Sequence, residues 1–491
     1  MKTLLSIDIG TSACKTIAFD PEGTVLASET VSYATDYPHP DWAQQNPDDW
    51  WQATCSAVRR ITSAVDPSSI ACVGIDGQSW SAVAVDAEGR VLCPTPIWTD
   101  TRSRQECEDM RRLMPEEDWF RLDRNPLQPG YTLPKILWYR RHLPDVYQQA
   151  RWILQSNSFI VYRLTGRATQ DLSQGYGLHC FRMQSGTWDL ESLEKLDIPA
   201  SLLPDLLPSS AIAGEVTDAA AADTGLLPGT PVIAGGLDAA CATLGVGVIH
   251  PGETQEQGGQ SGGMSLCVAQ CTGDPRLILG YHVVPGQWLL QGGTTGGGGA
   301  LKWLRQTICP ELSFEEMSDL AQTVAPGSDG LLFLPYLRGE RSPLWNPDAK
   351  GVFFGLTYTH SRAHMIRAVM EGTAYALRHN IETAHHAGGE VHLMRAMGGS
   401  ANSLVWTQIK SDVTGKEMEV PSSDTATGLG AAILAGIGSG VYATFEEAVS
   451  RTVHVRRTHT PNPDNRAVYE AGYSNYLELY QRLEPMMTGR N

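Results

Sequence analysis

Two short stretches, "IDIGTSACK" at residues 7–15 and "QGGQSGGM" at residues 257–264, share one plan. A strand runs into a Gly/Ser turn and returns as a second strand. A hairpin repeated on both sides of the midpoint, as an ancient duplication would leave it, restricts the chain to folds with two similar halves. In both halves strand patterns then alternate with helical ones. This predicts an α/β protein of two similar units around a central cleft. At 491 residues the chain exceeds one ordinary core, and we divide it into domains 1–249 and 250–491.

The local signals agree with that plan. "NPDDWWQATCSAVRRITSAV" predicts an amphipathic helix with Asn46 as cap and Pro47 in its first turn. Residues from about 100 to 200 read as mainly helical and aromatic. "GGTTGGGGALKWLRQTI" predicts a Gly-rich turn opening a helix, and "VHLMRAMGG" a strand ending in glycines. "HMIRAVMEGTAYALRHNIETAHHA" and "TGLGAAILAGIGSG" predict a long helix and one of small residues. The tryptophans of "DWAQQNPDDWW" read as packing residues, and His385-His386 as a solvated helix end.

Two acids carry the chemical argument. Asp8 ends the first strand beside Thr11, Ser12 and Lys15. N–H groups of a tight glycine turn, with hydroxyls and one lysine, suit phosphate oxygens, and a carboxylate suits hydrated Mg²⁺. A hairpin whose Asp bonds its own turn explains the same residues. Asp238 follows a strand and Gly-Gly, at the mouth of an open α/β sheet; a helix N-cap is the competing reading. Two carboxylates at corresponding strand ends of a duplicated architecture weigh against the cap. Gln260 and Ser261 form the second turn, a further phosphate grip or a plain hairpin. "GGTTGGGG" lacks the Lys-Ser/Thr of a P-loop, and a dinucleotide fold would need an early strand-turn-helix that is absent here. "MGGSAN" offers bare backbone for a flat base, or a simple turn.

A formal charge of −17 argues against nucleic acid or anionic membranes as partners, though not against a small anionic ligand. "MKTLLSIDIG" reaches an acid before any signal-peptide core, and no stretch is long and apolar enough to span a bilayer. The 10 cysteines are scattered without a metal-ligand pattern. The expectation is a cytoplasmic protein with reduced thiols.

"GVFFGLTYTHSRAHMIRAVMEGTAYAL" and "GYTLPKILWYRRH" resemble the C- and N-terminal signatures of the FGGY family of carbohydrate kinases, within the actin, Hsp70 and sugar-kinase superfamily. "LPYLRGERSPLWNPDAKG" and "PDWAQQNPDDWW" are similar to further family segments. The resemblance implies two ribonuclease-H-like domains, with ATP held by the second and sugar by the first. It implies Asp238 as catalytic base, and Asp8 with Asp238 as the metal-linked acids for Mg²⁺. Thr11, Ser12, Lys15, Gln260, Ser261, Gly298, Gly398, Gly399 and Asn402 become nucleotide and phosphate positions. Gln78, Ser79, Trp80, Trp98, Asp100, Tyr131 and Asp238 become sugar positions. The chain departs from relatives at "GQSW", where xylulokinases commonly carry Gly-Gln-Met-His, and at Gln260, which takes a Thr place. The longer Gln arm should change the loop or the phosphate position.

The expected activity is ATP-dependent phosphorylation of a small-molecule sugar, a ketopentose such as xylulose to xylulose 5-phosphate. Gluconate, another sugar or a polyol is the alternative, and a non-catalytic actin-like or sugar-responsive protein is a further one. An Asp238 of ordinary pKa near 4 suffices for such a reaction. An aldonate substrate would need a cation near its carboxylate, and "GQSW" supplies none. The sequence leaves a homodimer open.

Overall fold

The computed structural model describes residues 2–489. Its frame is two seven-stranded mixed sheets. The first contains β1 (Thr3–Ile9), β2 (Ala13–Phe19), β3 (Val25–Ser32), β4 (Ile70–Gly77), β5 (Ile212–Glu215), β6 (Pro231–Ile233) and β7 (Gly236–Leu237). The second contains β8 (Glu253–Gly258), β9 (Gly262–Val268), β10 (Ile278–Tyr281), β11 (Trp288–Thr294), β12 (Leu393–Met397), β13 (Glu417–Pro421) and β14 (Val455–His459).

The spatial orders are β5-β6-β4-β1-β2-β3, with β7 beside β4, and β10-β11-β9-β8-β12-β13-β14. In each sheet an antiparallel meander is joined through its first strand to two parallel strands and a final antiparallel one. Thus β1-β2-β3 corresponds to β8-β9-β11, and β4-β6-β5 to β12-β13-β14. The two Gly/Ser turns occupy equivalent places.

Helices cover both sheets. In α1 (Pro47–Ala64) the Asn46 side chain accepts from the Asp48 N–H, and Trp50 and Trp51 are buried. The helices α2 (Asp238–Gly245) and α3 (Gly298–Ile308) each follow a strand end, and α4 (Phe314–Gln322) and α5 (Arg362–His386) continue the second domain. They are followed by α6 (Leu404–Thr414) and α7 (Ala426–Gly438). No helix among the described residues is long and apolar enough to cross a membrane.

The two halves share a core. Leu4 and Ile17 of the first sheet and Met264 and Leu290 of the second belong to one buried cluster that includes Leu244 of α2 and Leu429 of α7. Although α7 comes late in the chain, it crosses α2 and lies on the first sheet. A Cβ at Gly245 would overlap the Ala426 carbonyl, one at Gly430 the Cys241 carbonyl, and one at Gly74 the Ala431 carbonyl. Side chains are excluded there because backbone meets backbone. Gly430→Ala should lower stability by about 2 kcal/mol or more, since carbonyl groups cannot yield as a flexible side chain can. Thermal unfolding checks this, and a variant melting with the wild type would contradict the tight crossing.

Candidate active site

Three acids converge at one end of the first sheet. Parallel pairing aligns Asp8 with Asp76, and Gly236 with Asp76, so Asp238 emerges two residues beyond that same line. Asp8 and Asp238 therefore come from strand ends on either side of β4 in one sheet, and not from corresponding ends of the two halves. Nor is Asp238 the helix cap. Leu237 holds that position, and one Asp238 oxygen accepts from the adjacent Ala239 N–H at 2.6 Å.

The crowding shows in their acidities. Burial pushes Asp238 up to about 7, and the charge of Asp8 adds to the shift. Burial likewise raises Asp8 to about 6, while its contact with Asp76 and the charge of Lys15 pull it back. Asp76 is fully buried and stands well above the usual carboxylate range, from burial and then from the charges of Asp8 and Asp238. Both Asp76 oxygens lack a hydrogen-bond partner. Two ionised carboxylates cannot donate to each other, whereas one proton between Asp76 and Asp8 joins them. Asp76 was passed over in the sequence, yet "GID" closes an apolar run just as "SID" does before Asp8.

The first Gly/Ser turn is fixed from below. Tyr33 donates to the Gly10 carbonyl at 2.5 Å and Gln45 to the Thr11 carbonyl at 2.7 Å. This leaves Thr11 and Ser12 exposed, and the Trp98 indole N–H meets the Thr11 hydroxyl at 3.1 Å. Lys15 pairs with Asp8 across the hairpin. The Gln45 carbonyl also accepts from Gln78 and from Trp50, so this residue of "AQQNP" ties the turn to the neighbouring wall.

That wall holds Gln78, Ser79, Trp80, Trp98 and Tyr131. One buried ammonium clamps three of its segments: Lys135 donates to the carbonyls of Trp80 (2.8 Å), Ile97 (2.8 Å) and Gly130 (2.6 Å). Trp80 adopts a left-handed backbone (φ 56°), and its indole lies where a side chain at residue 177 would stand, so Gly177 makes room for it. The Trp80 and Tyr131 rings meet edge-on at 4.2 Å, and Tyr131 packs against His179, whose ring nitrogen faces Asp123 at 2.5 Å. Trp80 Nε1 and the Tyr131 hydroxyl are buried without partners, as is Gln78 Oε1.

Asp100 departs from its expected role as a sugar contact. Its carboxylate is fully buried, taking Arg102 at 2.8 Å and the Ala43 N–H at 2.7 Å. Arg102 in turn lies over Trp42 (3.9 Å) and Trp138 (5.0 Å). The acid anchors the Trp98 loop and has no free oxygen facing outward.

In the second domain a cavity of about 600 Å³ lies between the second Gly/Ser turn, α3, α4 and the start of α6. It brings together Gln260, Gly298, Gly399 and Asn402, with Phe314, Leu404 and Trp406 as apolar wall. Ser261 is not among its lining residues. Gly398 (φ 83°) abuts the Gly258 backbone, and Lys410 braces Glu256 and Ser400 below, at 2.6 Å each. The hairpin around Gln260 is paired in register from Thr254–Leu266 to Gly258–Gly262. The Gln260 amide folds over Gly299, where a Cβ would overlap it.

Residues 3–245 match the N-terminal domain, and residues 272–439 the C-terminal domain, of the FGGY family of carbohydrate kinases. A xylulose kinase of Staphylococcus epidermidis is 32% identical over 99% of this chain and 98% of its own length. A gluconokinase of Bacillus subtilis is 31% identical over 99% of this chain and 97% of its own. The crystal structure of a xylulose kinase from Rhodospirillum rubrum superposes with a TM-score of 0.93 at 29% identity, covering 99% of this chain and 100% of that one. With both halves of the family matched in order on a fold of two equivalent sheets, the chain belongs to the FGGY family of carbohydrate kinases.

Proposed function

We propose that this carbohydrate kinase transfers the γ-phosphoryl group of ATP to a hydroxyl of a neutral ketopentose, with xylulose as the favoured substrate and xylulose 5-phosphate as product. The observation that carries this reading is Asp238, an acid opening α2 with only its own neighbour's N–H as partner, whose charge acts on Tyr176, a ring packed against Trp80 and Tyr131. It accepts the proton of the attacking hydroxyl as the oxygen–phosphorus bond forms. Thr11, Ser12 and Lys15 face the phosphates from the first domain, and Gln260 with Gly298, Gly399 and Asn402 hold the nucleotide in the second.

The donor set suits a divalent cation held largely through water. Asp8 and Asp76 crowd two carboxylates together, yet no group of three or more His, Cys, Asp or Glu among the described residues is placed to ligate a metal ion together. When bound, Mg²⁺ would offset charge on the phosphate oxygens, with Asp8 orienting its water shell.

Charge favours a neutral sugar over an aldonate. Among the described residues, two cations brace the wall of Trp80, Trp98 and Tyr131 itself: Lys135, whose three N–H groups meet three carbonyls, and Arg102, which is paired with Asp100. An aldonate carboxylate there would meet no free cation of this wall and would lie near Asp238 and Asp8. The orphaned groups are a mixture of donor and acceptor atoms, Trp80 Nε1, the Tyr131 hydroxyl and Gln78 Oε1, which matches hydroxyls. The gluconokinase likeness keeps the aldonate as the second reading.

Two outcomes are expected. Asp238→Asn and Asp238→Ala should lower kcat for sugar phosphorylation by about 100-fold or more while ATP still binds; undiminished turnover by either variant would remove Asp238 as the base. The pH profile follows from its pKa, raised to about 7. A base must be ionised, so kcat/KM should rise about tenfold per pH unit up to about 7 and then level. Stability should move oppositely. The folded protein holds protons on Asp238 and Asp8 that the unfolded chain releases near pH 4, so stability is fully present below that point and is lost as pH rises through about 6 to 7. An activity limb near pH 4 would contradict the buried cluster.

A further inference from the structure

Two adjacent charged side chains of the second domain have no part in the reading above. In "LRGERSP", Glu340 is buried and fully engaged: it accepts from the Thr294 hydroxyl at 2.5 Å, the Thr295 N–H at 2.8 Å and the Arg341 N–H at 2.7 Å. The Arg341 guanidinium is different. Among the described residues it donates no hydrogen bond and forms no ion pair within contact distance, although it is largely enclosed; burial lowers its basicity, and the charge of the neighbouring Glu340 offsets part of that. An enclosed, unpaired cation is costly unless an anion completes it.

Its place in the fold says which anion. The guanidinium lies against Gly293 of β11, where a Cβ would stand 2.8 Å from Nη2 and 3.0 Å from Cζ. The neighbouring Gly292 faces Asn380 of α5, so by strand alternation Gly293 and Arg341 lie on the opposite face of the sheet. That face turns toward the first domain. Gln291, two residues before Gly293, approaches Gly280, and Gly280 also meets the Tyr176 ring of the first domain. Tyr176 in turn feels the charge of Asp238.

The same strand end borders the nucleotide side. Gly293 pairs with Gly263, two residues past Ser261 of the Gly/Ser turn. Glu340 ties Arg341 to Thr294 and Thr295, immediately before the Gly-rich turn that opens α3.

We infer that Arg341 is an oxyanion-binding residue of the second domain that takes phosphate oxygens of the bound nucleotide on the cleft side of β11. This rests on the ATP-dependent reading above. Arginine suits the role because its planar fork can grip two oxygens at once. A substrate carboxylate has the same chemistry, but the tie through Glu340 to the Gly-rich turn favours the nucleotide.

The test compares full-length wild type, Arg341→Met and Arg341→Lys by titration calorimetry with ATP, ADP and AMP in the presence of Mg²⁺. It is followed by steady-state kinetics on ketopentoses and aldonates. For Arg341→Met, ATP affinity should fall about tenfold or more while AMP affinity stays within about twofold. Its kcat should fall about 100-fold with the KM for the neutral sugar nearly unchanged. Arg341→Lys, which keeps the charge and loses the fork, should fall between the two. If Arg341→Met does not fold, the lysine variant alone decides: an ATP loss of about threefold or more with AMP unchanged supports the role.

Unchanged ATP affinity, equal losses for ATP and AMP, or a loss confined to aldonate KM would each overturn the role. A wild type that binds no ATP would instead remove the proposed function itself. Wild-type binding with indifferent variants would remove only the assignment of Arg341.

Discussion

Everything at this site depends on two helices meeting backbone to backbone. α2 begins at Asp238 and α7 follows β13 of the second sheet, and they cross at Gly245 and Gly430 with no room for a side chain. Gly74 lets α7 approach the strand that carries Asp76. The crossing joins the two sheets into one buried core and sets the position of α2 on the first. Asp238 therefore stands at a fixed place beside Asp8 and Asp76, while the second domain can present its cavity across the cleft. Small residues at this point look unremarkable in the sequence, yet without them the acids would have no common location.

The acids then shape one another. Asp8 and Asp238 each raise the cost of ionising Asp76, and Asp8 does the same to Asp238. In the proposed role of base, a half-buried carboxylate held near neutrality is better matched to proton transfer than one of ordinary acidity. The sequence could support only the latter, because a shift of this kind depends on burial and on partners far apart in the chain. The neighbouring wall follows the opposite electrostatic logic. Its cations, Lys135 and Arg102, are saturated by carbonyls and by Asp100, which leaves polar atoms and aromatic rings.

What was legible in the chain was local. The paired hairpins, the Asn46 cap of α1, the Gly-rich start of α3 and the small-residue α7 all follow from turn chemistry and periodicity. Asp8 and Asp238 stood out because an acid after an apolar run is rare. Asp76 met the same criterion, but it reads as one more residue of a strand until the parallel register sets it against Asp8. Asp100 matched a family position, while its carboxylate turns inward to Arg102, which no linear pattern reveals. The Gln260 amide lies over Gly299, a residue in a different element, so its packing could not be read from its own turn. Arg341 is likewise invisible as an unpaired cation until Gly293 and Glu340 are placed around it.

A cleft with Asp238 at its base, beside a wall whose cations Lys135 and Arg102 are already paired, should phosphorylate a neutral sugar. The most direct test is ATP-dependent ADP release from the purified protein across ketopentoses, polyols and aldonates, compared as kcat/KM. A ketopentose, xylulose foremost, should give the highest value, with aldonates such as gluconate well below it. An aldonate at the top of the series, or no ADP release with any of them, would contradict it.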